Sequence, residues 1–170
     1  IYAGRVEAEM EQRLIHLNEL TEVAVSRHQS LARERKVTLE HGRAQPGPVA
    51  AVATEQMMQV LTNLVEDAIR YTAEGGRVIV TTGQEKRHGR VWATMAISDT
   101  GKGIPSEDMP HIFDRLFREG DEEPRSRRVR ETGLRLMVVK EIAGLHGGEV
   151  TVESQEGVGS TFTIWLPPVD

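Results

Sequence analysis

Asp99-Thr100-Gly101-Lys102-Gly103-Ile104-Pro105 closes an alternating apolar run, Val91 to Ile97. The heptapeptide reads as an acid at the end of a β-strand handing over to a glycine loop. Two glycines two apart let a backbone pass close to a flat ligand, and the strand-end carboxylate faces a cavity. A turn aspartate beside glycines accounts for the same residues, so neighbouring segments must decide between the two.

Working outward, Arg77 to Thr82 alternates and joins Val91 to Ile97 as a hairpin through Gly83 to Gly89. Thr54 to Tyr71 reads as the clearest helix, with Thr54 as N-cap and Met57, Val60, Leu61, Leu64 and Ala68 on one face. Asn63 and Asp67, four apart, lie one above the other on a neighbouring face. A second helix opens at Thr132 or Gly133 and stops at Gly147-Gly148. Lys36 to Glu40 and Val49 to Ala53 are short strands, and Glu149 to Glu153 pairs with Ser160 to Leu166 around the turn from Gly157 to Gly159. Ile1 to about Ala32 reads as one helix with apolar residues near heptad spacing, either packed on its own domain or ending a dimerising stalk. This mixed order with hairpins predicts an α+β fold, a two-layer sandwich with a mixed, largely antiparallel sheet. Residues 1–16 form a helical lead-in and 17–170 one domain.

The absence of cysteine excludes disulfides and thiolate metal sites and suits a reducing compartment. No apolar run approaches the roughly 20 residues that span a bilayer, and no leader pattern is visible, so this segment is expected to be cytoplasmic without membrane contact, anchoring of a longer protein being left open. A formal charge of −5 argues against nucleic acid as a partner, although Arg125, Arg127, Arg128 and Arg130 form a basic cluster.

Around the glycine loop, in chain order, stand Asn63-Leu64-Val65-Glu66-Asp67-Ala68-Ile69-Arg70-Tyr71-Thr72, Phe113-Asp114-Arg115-Leu116-Phe117-Arg118, Glu131-Thr132-Gly133-Leu134-Arg135-Leu136 and Gly157-Val158-Gly159-Ser160-Thr161-Phe162. This set resembles the ATP-binding catalytic domain of sensor histidine kinases, within the superfamily shared with gyrase, Hsp90 and MutL, over roughly Leu17 to Pro167. The resemblance implies Mg²⁺-ATP binding, with Asp99 accepting from the adenine amino group, Gly101, Gly103 and Ile104 beside the base, and Tyr71 flanking it. Asn63 and Asp67 would hold the metal, Asn63 also counting as catalytic. Arg70 and Arg118 would contact phosphate, Thr132, Gly133 and Leu134 would form the phosphate-binding hinge, and Thr161 would complete the pocket. Residues Glu119 to Arg130 suit a mobile lid.

The chain departs from the family at four positions. Aspartate stands at position 67 for the usual second asparagine. The usual Gly-Gly-Thr-Gly-Leu-Gly-Leu appears as Arg130-Glu131-Thr132-Gly133-Leu134-Arg135-Leu136, which places an anion and a bulky cation where phosphates should meet free N–H groups. The resemblance implies a γ-phosphoryl donor acting on a histidine of a separate dimerisation domain, with a response regulator downstream and a homodimer through the N-terminal helix. None of the six histidines is followed by an acid, so the acceptor is expected outside this chain. A nucleotide-poor signalling module of the same fold is the alternative. A serine-phosphorylating relative fits less well with the Phe113 to Arg118 stretch.

Overall fold

The computed structural model describes residues 11–113 and 125–169. Its elements run β1 (Arg13–His16), α1 (Leu17–Glu34), β2 (Thr38–Gly42), β3 (Val49–Val52), α2 (Thr54–Arg70), β4 (Arg77–Arg87), β5 (Arg90–Asp99), a 3₁₀ turn (Ser106–His111), α3 (Arg127–Leu145), β6 (Glu149–Gln155) and β7 (Gly159–Leu166). Five strands form one sheet in the order β2-β4-β5-β7-β6, while β1 and β3 make a separate pair. Only β2 and β4 run parallel; β4-β5, β5-β7 and β6-β7 are antiparallel. The fold is α+β with a mixed, mostly antiparallel sheet under a layer of helices.

Period-two sequence builds the interface between the layers. Along β7, Ser160, Phe162, Ile164 and Leu166 are buried and alternate with half-buried Thr161, Thr163 and Trp165. Helix α2 meets this face with Met57, Val60, Leu61, Leu64, Val65, Ala68 and Ile69, all at most 1% exposed. Each fully buried aliphatic of this kind contributes about 1.5–3 kcal/mol. With three phenylalanines in the chain, aliphatic packing carries this core.

Several boundaries differ from the sequence reading. The N-terminal helix starts at Leu17 rather than Ile1, because Arg13–His16 pairs antiparallel with Val49–Val52 and the Leu17 N–H donates to the Pro48 carbonyl at 3.0 Å. Val6 and Met10, part of the expected heptad face, lie outside the described residues. Leu14 is 62% exposed on β1, whereas Leu17, Leu20 and Ala24 are buried in the domain's own core. The buried apolar residues of α1 are therefore covered from within the domain. The hairpin is longer than expected, with β4 reaching Arg87 and β5 starting at Arg90 across a turn in which His88 and Gly89 both have positive φ. Ala53, not Thr54, occupies the N-cap of α2, without a side-chain cap. The largest correction concerns α3. It begins at Arg127, capped by Ser126, whose hydroxyl accepts from the Val129 N–H, rather than at Thr132 or Gly133.

Candidate functional site

The C-terminal end of β5 and the last turns of α2 bring two carboxylates together. Asp99 and Asp67 both have side chains with no solvent exposure, and one guanidinium bridges them. Arg128 donates from Nε to Asp67 Oδ2 at 2.7 Å and from Nη1 to Asp99 Oδ2 at 2.9 Å. The other Asp99 oxygen, Oδ1, accepts the Gly101 N–H at 3.0 Å, so the strand-end acid also shapes its loop. The guanidinium carbon lies 5.2 Å from the Phe162 ring centroid and 5.7 Å from that of Tyr71.

Burial pushes the Asp67 carboxyl upward, and the neighbouring Arg128 only partly offsets it. Burial also opposes the charge on Arg128, but Asp67 and Asp99 together overcome it and hold the guanidinium protonated. Asp67 Oδ1 and Arg128 Nη2 are buried and make no hydrogen bond.

In front of this triad opens a cleft of about 760 Å³. Among the described residues, Arg70, Lys102, Arg125, Arg127, Arg128 and Arg130 line it with one acid, Glu156, and Tyr71, Gly101, Gly103 and Pro105 complete the wall. A chain of net charge −5 thus concentrates cations at one opening. Arg125 is drawn off by Glu156 at 2.7 Å and Glu107 at 3.3 Å, and Arg127 by Glu131 at 2.7 Å. Tyr71 donates its hydroxyl to Glu131; burial and that neighbouring carboxylate push the phenol up to about 12.

The two loop glycines are required by packing. A Cβ on Gly101 would stand 2.6 Å from the Tyr71 carbonyl oxygen. Gly103 has φ +73° and a Cβ there would meet the Gln155 carbonyl oxygen at 2.3 Å. Their absent side chains therefore let the loop lie between the end of α2 and the β6–β7 turn.

The other expected residues divide. Asp67, Asp99, Arg70, Tyr71, Gly101 and Gly103 converge on the triad and cleft. Asn63 is half-buried one turn before Asp67 and donates from Nδ2 to the Arg135 carbonyl at 3.4 Å. Ile104 is a core residue, 1% exposed, whose N–H donates to Ser154 Oγ. Thr132, Gly133 and Leu134 do not form a hinge with free N–H groups. They lie in the second and third turns of α3, where the backbone donors serve the helix; Thr132 Oγ1 donates to the Arg128 carbonyl and Leu134 is 60% exposed. The physical reason is local: Arg130, Glu131 and Arg135 stand where glycines would interrupt a helix, and all three favour one.

Thr161 lies away from Asp99. It pairs with Ser98, hydroxyl to hydroxyl at 2.8 Å, on the sheet face opposite to Asp99. Ser160, cross-strand partner of Asp99 and 3% exposed, is the residue on the Asp99 face. Strand parity counted from Phe162 would have selected it. Arg128 had no comparable signal beyond membership of a basic cluster. Arg118 and most of its aromatic stretch lie outside the described residues, although Phe113 packs edge-on against Phe162 at 6.4 Å. Among the described residues no group of three or more His, Cys, Asp or Glu is placed to hold a metal, and no helix is long and apolar enough to cross a membrane.

Comparison with known proteins agrees with this fold. Sensor histidine kinase Hik2 of Synechocystis sp. is 40% identical over 148 residues, 82% of this chain and 33% of that protein. Sensor histidine kinase WalK of Bacillus subtilis is 34% identical over 113 residues, 66% of this chain and 18% of that protein. The chain thus spans about a third or less of these relatives. The solved catalytic domain of histidine kinase ThkA superposes with a TM-score of 0.75 at 25% identity, covering 93% of this chain and 96% of that one. Full-length ShkA in complex with AMPPNP shares the fold at a TM-score of 0.76 and 21% identity, covering 94% of this chain and 31% of that one. A family model described as histidine kinase-, DNA gyrase B-, and HSP90-like ATPase matches residues 53–170, and to that family this chain belongs, as an ATP-binding catalytic domain of the sensor histidine kinase type.

Proposed function

We propose that the chain binds Mg²⁺-ATP in the cationic cleft and presents the γ-phosphoryl group to a histidine on a separate helical dimerisation domain, with a response regulator as the eventual acceptor. The observation that carries this reading is the convergence of the buried Asp67 and Asp99 side chains behind a cleft lined, among the described residues, by six cations and one acid.

In this reading Asp99 accepts from the adenine amino group, a charge-assisted bond to an acid already oriented by the Gly101 N–H. Ser160 joins it from β7, and Tyr71 flanks the base. Asp67 Oδ1 is a buried oxygen with no donor, and Asn63 brings an amide oxygen one turn away, a hard-oxygen set that suits Mg²⁺. Bound there, the ion would neutralise phosphate oxygens. Arg70 and Lys102 at the mouth attract and orient the polyphosphate, so these residues contribute position and charge, which is most of what phosphoryl transfer asks of a protein. Three of the described histidines are poor acceptors: His28 and His146 are buried, and His41 is bonded to Thr21 at 2.6 Å.

Calorimetric titration with ATP, with and without Mg²⁺, and with GTP as comparison, tests the proposal. Mg²⁺-dependent binding selective for ATP is expected. No heat from any nucleotide at millimolar concentration would favour the second reading, a nucleotide-poor signalling module, for which the continuous α3 helix is the specific observation.

A further inference from the structure

We propose that Arg128 is an internal competitor for the nucleotide, a latch that holds the site closed until Mg²⁺-nucleotide displaces it. The inference rests on the nucleotide reading above and adds a regulatory contact to the same site. One guanidinium meets the two groups a nucleotide complex would need: it donates to Asp99 as an exocyclic amino group would, and it places positive charge on Asp67 as a divalent cation would. Its flat face lies near the Tyr71 and Phe162 rings, surroundings that also suit a flat heterocycle. Arg128 and the base would compete for Asp99 Oδ2 and for the space beside the Tyr71 and Phe162 rings.

The segment bearing Arg128 is fastened from outside as well. Asp108, 3% exposed, accepts the Arg125 N–H at 3.0 Å and the Ser126 N–H at 2.5 Å, which fixes the entry to α3. Glu131, one turn along, holds Tyr71. The closed state is nevertheless incompletely satisfied. Two buried carboxylates face one guanidinium, and Asp67 Oδ1 and Arg128 Nη2 both lack partners. A ligand that brings a cation and its own donors can satisfy atoms the latch leaves unpaired, so opening is driven by binding. Apparent affinity is then reduced by the fraction of molecules already open.

The test is titration of Mg²⁺-ADP into the wild-type chain, Arg128→Met, Asp67→Asn and Asp67→Asn/Arg128→Met. The double variant guards against misfolding of the single one, because it removes one of the two carboxylates that Arg128 would leave exposed to each other. Arg128→Met should bind about tenfold tighter than wild type, as for a site about one-tenth open, and the double variant should bind tighter than Asp67→Asn. In parallel, a dicarbonyl reagent specific for arginine, mapped by peptide mass, should leave Arg128 unmodified in the free chain and modify it when Mg²⁺-ADP is saturating. If wild type binds, neither variant tightens and Arg128 stays protected with nucleotide, the latch is overturned and the nucleotide reading survives. If none of the four chains binds Mg²⁺-ADP, both fall together.

Discussion

Arg128 Nε lies 2.7 Å from Asp67 Oδ2, across 61 residues of sequence, with side chains 6% and 0% exposed. A pair so far from water is a weak source of net stability but a costly one to break. Arg128→Met leaves Asp67 and Asp99 buried without a counter-charge and is expected to destabilise the fold by about 3–5 kcal/mol. Removing both charges in Asp67→Asn/Arg128→Met should recover much of that loss. Urea denaturation of the two variants checks this; equal losses in both would show that Asp67 and Arg128 are uncoupled.

Asp99→Asn separates binding from folding less cleanly than the loop alone would suggest. The amide can keep one acceptor for the Gly101 N–H but then turns its NH₂ toward Arg128, donor against donor. A loss of about 1–3 kcal/mol in stability is expected. Weaker nucleotide binding should accompany it at temperatures where the variant is fully folded. Unchanged affinity in the folded variant would assign Asp99 to the loop and the Arg128 contact only.

Much of this architecture is written locally. Alternation in Val91 to Ile97 and Ser160 to Leu166, and the apolar stripe of Thr54 to Arg70, specify strands and helix without tertiary information. Asp99 could be located because it ends a strand whose period is unambiguous. The start of α3 was illegible for the opposite reason: Arg130, Glu131 and Arg135 look like damage to a phosphate loop when aligned with glycines, yet taken as propensities they extend a helix by more than a turn. Arg128 is hidden in sequence because burial of one arginine among four depends on carboxylates from α2 and β5. β1 was missed because four residues, Arg13 to His16, carry too short a pattern to outweigh the adjacent helix.

Restoring the glycines tests the propensity argument. Each glycine weakens a helix interior by roughly 1 kcal/mol relative to alanine. Arg130→Gly/Glu131→Gly/Arg135→Gly should therefore fray the first turns of α3 while leaving the turns near Ile142 intact. Amide hydrogen exchange should quicken over residues 127–136 and remain slow over 139–145, and Mg²⁺-nucleotide affinity should rise. Undiminished protection over 127–136 would mean that tertiary contacts, not residue choice, hold that end of the helix.

His146 offers a pH test independent of the site. Its Nδ1 faces the Ile142 carbonyl at 2.9 Å and donates to it, which leaves Nε2 as an unprotonated acceptor for the Ala53 N–H at 3.0 Å. Protonating Nε2 would set donor against donor at a residue only 5% exposed. Burial lowers the pKa of His146 below its ordinary value near 6.5, outweighing the bond to Ile142, which raises it. The folded state therefore binds this proton less readily than the unfolded chain. The stability His146 contributes is complete above pH 6.5 and is lost as pH falls from there toward the lowered folded value. His41 is shifted the same way by burial and by Arg43, so its contribution has to be subtracted. Urea midpoints at pH 7.5 and 5.5 for wild type and His146→Gln isolate the term. The variant should be less stable at pH 7.5, and the gap should narrow at pH 5.5. A gap that stays constant or widens on acidification would show that His146 carries its proton in the folded state.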